Sequence, residues 1–335
     1  MKVAVLGAGS FGTTIATLAA RNADTWMWAR RQEQADAIDH THENRDFHPG
    51  VTLPEALRCS ADLATVLDGA DAVVVGIPTQ HVRGVVLDAG RHVRQDAPFI
   101  SLAKGIEAGT LLRPTQVLAE VLPDRDSERI GVLSGPNLAR EILAGLPAAT
   151  VLAFPDESVA TALQPTFASE AFRVYTNTDV IGCEVGGAYK NVIAVIAGMS
   201  NGLGYGSNAI AALITRGLVE MTRLGIALGA EPLTFLGLAG QGDLVATCTS
   251  TQSRNHTVGV ELAKGRPIDE IVAEMNMVAE GVKSVDGIVA LCEANGVDCP
   301  MAEMLQDLLA GRIHPTAVAQ AFVERPPTSE FDGIS

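Results

Sequence analysis

The chain has 335 residues, 47% of them hydrophobic and 19% charged, which places it far from disorder and gives it room for two domains. Its formal net charge of −15 argues against a nucleic-acid groove or an anionic membrane surface as partner, while a few cations in a cleft still admit an anionic small molecule. The five cysteines, Cys59, Cys183, Cys248, Cys292 and Cys299, are scattered without a CxxC pair, which predicts reduced thiols in a cytoplasmic chain and no metal site.

An apolar run, Val3-Ala4-Val5-Leu6, opens the chain and has the pattern of a fully buried parallel strand. Gly7-Ala8-Gly9-Ser10-Phe11-Gly12 follows at once, and residues 13–20 read as a small-residue helix. Strand, glycine turn and helix is the order that a dinucleotide-binding unit requires, the other reading being an ordinary βα turn. Gly7 permits the tight turn, Gly9 lets the backbone approach a pyrophosphate, and Gly12 lets the helix pack on the strand. Amides at the start of the helix then face the phosphates.

Residues 25–29 read as the second strand, ending in Arg30-Arg31. An acid at that position would hold the 2′-hydroxyl of NAD, so two arginines favour the 2′-phosphate of NADP(H) and leave NAD(H) possible. The other reading is a pair of solvated charges at the start of the helix 32–39. The polar stretch THENRDFHPG carries His40, His42 and His48 without completing a metal geometry, and reads as a surface loop. A strand at 57–59, a helix at 62–67 and a buried-type strand at 72–77 follow. That strand ends in Pro78-Thr79-Gln80-His81, where His81 is either a base or a positioning residue in the first turn of a helix 82–93. Strand 98–103 ends in Lys104, and strand 129–133 leads through Ser134-Gly135-Pro136-Asn137 into a helix 138–143. Strands 149–154 and 172–175 complete a Rossmann-like domain over residues 1–178, an α/β, doubly wound and mostly parallel sheet.

Residues 179–335 form an all-α domain, with helices expected at 182–198, 210–228, 257–264, 268–274, 284–295, 301–309 and 316–323. Residues 191–215 carry no charge and are long enough to span a bilayer. Their serines, asparagines and glycines instead predict two buried helices joined by a glycine-rich break, with no membrane insertion.

Chemistry concentrates in three clusters of the second half. Lys190 is a lone lysine on an otherwise apolar helix, and a buried lysine suits general acid/base work; the bland reading is a lysine snorkelling from a helix end. Gly237-Leu238-Ala239-Gly240-Gln241-Gly242-Asp243 is a glycine-rich turn delivering a carboxylate, or a simple cap. The hydroxyl-rich run from Thr247 to Ser253, Arg254 and Asn255 reads either as a phosphate site or as an N-cap followed by a surface arginine.

Through GAGSFG, WAR, SLAKGIE, SGPNLA, EVGGAYKNVIA, GLAGQGDLVATCTSTQSRN and VAEGV, the chain resembles the bacterial NAD(P)-dependent glycerol-3-phosphate dehydrogenases over essentially its whole length. The resemblance implies hydride transfer between NAD(P)(H) and a small phosphorylated three-carbon substrate, supplying phospholipid synthesis. It makes Lys190 the proton donor and acceptor, assisted by Asp243. It places Lys104, Gly135, Asn137, Ser253, Arg254 and Asn255 around the substrate, and Ser10, Phe11, Arg30, Lys104, Ala139, Arg254, Val278 and Glu280 around the coenzyme. Asn137 departs from the serine or threonine usual in the family. The link RNADTW is one residue shorter than usual, so the ribose contact falls to either Arg30 or Arg31. A homodimer is expected. Two other functions fit the same plan: a 3-hydroxy-acid dehydrogenase, and a non-catalytic NADPH-binding redox sensor.

Overall fold

A computed structural model of the chain describes residues 1–275 and 280–317. Two compact units emerge, one of Met1–Lys104 with Leu112–Val180, the other of Gly105–Leu111 with the chain from Ile181 onward. The sequence expectation drew a single division near residue 178; the structure also assigns the short excursion Gly105–Leu111 to the second unit.

In the first unit, strands and helices alternate: β1 (Lys2–Leu6), α1 (Ser10–Ala19), β2 (Asp24–Trp28), α2 (Gln32–Thr41), β3 (Leu57–Ser60), α3 (Leu63–Leu67), β4 (Ala72–Val75) and α4 (Thr79–Ala89). Then come β5 (Phe99–Ser101), α5 (Pro114–Val121), β6 (Ile130–Ser134), α6 (Ala139–Leu143), β7 (Ala148–Ala153), α7 (Glu157–Phe167) and β8 (Phe172–Asn177). The strand order is β3-β2-β1-β4-β5-β6-β7-β8. The pairs are parallel except β6 with β7. Helices cover both faces, which is why the inner strands β1, β4, β5 and β6 are buried almost continuously, whereas β3 and β8 at the two edges alternate buried and exposed residues. Val3 and Val5 of β1 enter one core with Ile15, Ile100 and Phe154, while Ala4 and Leu6 enter another with Val73, Val86 and Phe99. The order reverses between β1 and β4, which pair from Val3 with Ala72 to Leu6 with Val75. Ligands of such sheets bind beyond the carboxyl ends of the strands at this switch point.

α5 and α7 lie outside the sequence expectations. α7 carries Pro165 inside it, a residue that breaks a helical pattern on paper, and α5 buries only a short Pro114-Thr115 and Val117-Leu118 face. The expected surface loop around His48 is a second correction. Asn44 and His48 are buried, because backbone carbonyls of the glycine turn accept their hydrogen bonds.

Helices build the described part of the second unit: α8 (Val180–Gly202), α9 (Ser207–Ala227), α10 (Asp243–Thr249), α11 (Arg254–Ala263), α12 (Ile268–Glu274), α13 (Glu280–Ala294) and α14 (Pro300–Leu309). α8 is long and apolar enough to cross a membrane, yet 94% of its most apolar window is buried inside the protein. It is the core around which the others pack: Tyr189, Val192, Ile193 and Val195 are fully buried, each worth about 1.5–3 kcal/mol of burial for the larger side chains. α11 crosses α8 at backbone distance. A Cβ on Gly198 would lie 2.0 Å from the His256 carbonyl, and one on Gly259 would lie 1.9 Å from that of Val195. The glycine-rich break follows at Gly204 (φ +81°), but α9 begins with exposed Ser207, Asn208, Ala211 and Ala212, so of the two expected buried helices only the first, 182–198, is buried throughout. The helix expected at 316–323 lies outside the described residues from 318 on.

Candidate active site

The glycine turn is built by steric necessity at two positions and by open space at a third. Gly7 adopts φ +119°, and a Cβ there would meet the Gly76 carbonyl at 2.6 Å; a Cβ on Gly12 would meet the Gly7 carbonyl at 2.1 Å. A Cβ on Gly9 would meet no protein atom within 4 Å. Gly9 is also the N-cap of α1, with no side chain capping the helix and no acid in its first turn. Unfilled space beside uncapped amides fits a diphosphate. Ser10 and Phe11 begin this helix, and Ser10 offers its carbonyl to the His48 Nε2 at 2.9 Å. Asn44 donates to the Ala8 carbonyl at 2.9 Å and to the Thr13 hydroxyl at 2.8 Å. Burial holds the His48 imidazole below its ordinary pKa, so the neutral ring supports the turn.

At the end of β2 the two arginines separate in role. Arg31, the N-cap of α2, is ion-paired with Asp46. Arg30 is exposed and carries no hydrogen bond or ion pair among the described residues.

Lys104 follows β5, donates to the Gly135 carbonyl at 3.3 Å, and lies 6.0 Å from the centre of the Phe11 ring. Gly135 takes φ +152°, a conformation that favours glycine. Asn137 follows, and Ala139 is the first residue of α6. The orientation of the Asn137 amide follows from proton count. The single hydroxyl proton of Thr150 goes to the Ser134 carbonyl at 3.0 Å, so Thr150 Oγ1 accepts from Asn137 Nδ2 at 2.8 Å. Asn137 Oδ1 is left as a buried acceptor with no partner among the described residues. One buried acceptor of this kind is what a substrate hydroxyl would satisfy.

The second unit brings together residues 53 positions apart. Lys190 on α8 donates from Nζ to Asp243 Oδ1 at 2.5 Å and to Thr247 Oγ1 at 2.7 Å. Lys190 is 6% exposed and Asp243 2%, so the snorkelling reading of the lysine is excluded. Each charge compensates the other where burial alone would penalise both. Asp243 arrives on a π-helical turn, Leu238–Gly242, that runs directly into α10 and replaces the expected tight turn. A Cβ on Gly186 would lie 2.6 Å from the Ala239 carbonyl, so this turn sits against the backbone of α8. Thr247 donates to the Asp243 carbonyl at 2.6 Å, one helical turn along α10. The sequence placed Thr247 in the hydroxyl-rich cluster and gave it no link to the lysine; the D-x-x-x-T spacing on a helix was the available signal. Cys248 beside this pair is pushed up to about 12, chiefly by burial, so it stays a thiol and no nucleophile.

Ser253 caps α11, its hydroxyl accepting from the His256 amide at 3.3 Å, and Arg254 is the exposed first residue of that helix. Asn255 is buried and bridges two elements: it donates to Asn191 Oδ1 at 2.9 Å and accepts from the Gly281 amide at 3.0 Å. Asn191 is the neighbour of Lys190, and Glu280 begins α13. The capping reading and the phosphate reading of this run are therefore compatible. Val278 lies outside the described residues.

Residues 2–160 match the model of the NAD-dependent glycerol-3-phosphate dehydrogenase N-terminus, and residues 179–320 that of the C-terminus. The chain is 53% identical to glycerol-3-phosphate dehydrogenase [NAD(P)+] 2 of Sphingopyxis alaskensis over 93% of either chain. It is 49% identical to glycerol-3-phosphate dehydrogenase [NAD(P)+] of Corynebacterium glutamicum over 98% of this chain and all of that one. The crystal structure of glycerol-3-phosphate dehydrogenase from Coxiella burnetii is similar at a TM-score of 0.92 and 34% identity, covering 97% of this chain and 99% of that one.

Proposed function

The chain belongs to the NAD-dependent glycerol-3-phosphate dehydrogenase family, and we propose that it interconverts dihydroxyacetone phosphate and sn-glycerol 3-phosphate with NAD(P)(H) in the cytoplasm, supplying phospholipid synthesis. The observation that carries this reading is the buried Lys190–Asp243 pair, a positioned proton donor that a mere binding protein has no use for. In the reducing direction negative charge grows on the substrate carbonyl oxygen. Lys190, as an ammonium, stabilises it and delivers the proton. Asp243 and Thr247 take two of the three Nζ protons and so fix the ammonium in place. When bound, the nicotinamide supplies or accepts the hydride at C2 of the substrate.

The remaining assignments complete the reading. Gly7, Gly9, Ser10, Phe11 and Gly12 hold the coenzyme diphosphate, Arg30 and Arg31 the adenosine ribose, with NADP(H) favoured. Lys104, Ala139, Arg254, Val278 and Glu280 contribute further coenzyme contacts. Ser253, Arg254 and Asn255 at the start of α11 receive the substrate phosphate. Lys104 and Gly135 line the substrate, and Asn137 Oδ1 accepts its free hydroxyl. Exposed Leu233 and Leu236 support a homodimer, and five buried free cysteines support a reducing compartment. A 3-hydroxy acid would leave the Ser253–Asn255 run without a phosphate, and a redox sensor would leave Lys190 idle. Complementation tests the physiological part. The gene should restore growth to a bacterium that requires added glycerol 3-phosphate, and a Lys190→Ala variant should not; growth restored by neither refutes the assignment.

A further inference from the structure

Residues 42–50 begin the connection from α2 to β3 and are bonded through Asn44 and His48 to the glycine turn and the start of α1. Asn44 holds the Ala8 carbonyl and the Thr13 hydroxyl, and His48 holds the Ser10 carbonyl. Glu43 Oε1 accepts the Gly50 amide at 2.8 Å, closing the loop on itself. Between these anchors lies Asp46, with its carboxylate on the Arg31 guanidinium.

We propose that Asp46 is a coenzyme-specificity residue: it competes with the 2′-phosphate of NADP(H) for Arg31 and thereby sets the balance between NADP(H) and NAD(H). The end of the second strand is where such sheets read the ribose, an acid selecting the 2′-hydroxyl and an arginine the 2′-phosphate. In sequence this position holds only arginines. Folding returns an acid to it from 15 residues further on. While paired, Arg31 holds its guanidinium on Asp46, and a 2′-phosphate must displace that carboxylate to reach it; a 2′-hydroxyl faces no such competition. Arg30 remains as the permanent cation. Both side chains of the pair are about half exposed, 56% and 48%, so water and salt screen the competition and the discrimination is graded.

The proposal rests on the dinucleotide reading and not on the reaction, so its test contains no substrate. NADPH and NADH are titrated by fluorescence into the wild type, Asp46→Asn, Asp46→Ser, Arg31→Gln and the Arg31→Gln/Asp46→Asn double variant. Either Asp46 variant should lower the ratio Kd(NADPH)/Kd(NADH) about 3- to 10-fold, less at high salt. Arg31→Gln should raise the ratio and abolish the effect of Asp46→Asn. An unchanged ratio in both Asp46 variants overturns the proposal, as does an equal shift with and without Arg31. A wild type that binds both coenzymes but leaves dihydroxyacetone phosphate unreduced would instead refute the proposed reaction.

Discussion

Replacing Lys190 by methionine separates what the buried pair does for catalysis from what it does for folding. The variant removes the ammonium and leaves Asp243, 2% exposed, without the partner that held it at 2.5 Å. Stranding one member of a buried ion pair costs about 3–5 kcal/mol, while replacing both members by apolar groups of similar volume is often neutral or better. Loss of a positioned acid lowers turnover roughly 10²–10⁴-fold. Lys190→Met should therefore be slow and destabilised, whereas Lys190→Met/Asp243→Leu should be equally slow and regain most of the stability. The assays are urea unfolding followed by circular dichroism and steady-state reduction of dihydroxyacetone phosphate. A double variant as unstable as the single would refute the compensation argument. A single variant that keeps near-normal kcat would refute the role of Lys190 altogether.

Other expectations follow from single contacts. Gly9→Ala should fold normally, because its Cβ meets no protein atom, yet weaken coenzyme binding tenfold or more by filling the diphosphate space; Gly12→Ala should lose about 1–3 kcal/mol of stability from the clash with the Gly7 carbonyl. Thermal melting and coenzyme titration distinguish the two. Asn137→Leu removes the buried Oδ1 acceptor and should raise KM for dihydroxyacetone phosphate about tenfold, with kcat less affected. His48 and His256 are both held below their ordinary value of 6.5 by burial, so the unfolded chain binds their protons first as pH falls. Stability is thus full above about pH 6.5 and declines below it, and His48→Gln should flatten that decline in melting curves recorded across this range.

The glycine turn was legible because its residues act through their own backbone geometry, where sequence and structure are one step apart. Strand burial was legible for a similar reason, since a sheet covered on both faces demands continuous apolar runs. Lys190 and Asp243 each looked ambiguous alone: their meaning lies in an ion pair across 53 residues, which no local pattern encodes. Resemblance to a family supplied that link before geometry did. The loop carrying Asn44, Asp46 and His48 misled because polar composition usually marks solvent, whereas here the buried Asn44 and His48 are directed at main-chain carbonyls. α7 stayed hidden behind Pro165.

The most direct test is the initial rate of coenzyme oxidation by the purified chain with dihydroxyacetone phosphate, run beside a 3-oxo acid and with NADPH and NADH in parallel. Rapid oxidation dependent on dihydroxyacetone phosphate, with sn-glycerol 3-phosphate as product and loss of roughly 10²–10⁴-fold in Lys190→Ala, is the expected result. Turnover of the 3-oxo acid alone, or coenzyme binding without any oxidation, would contradict it.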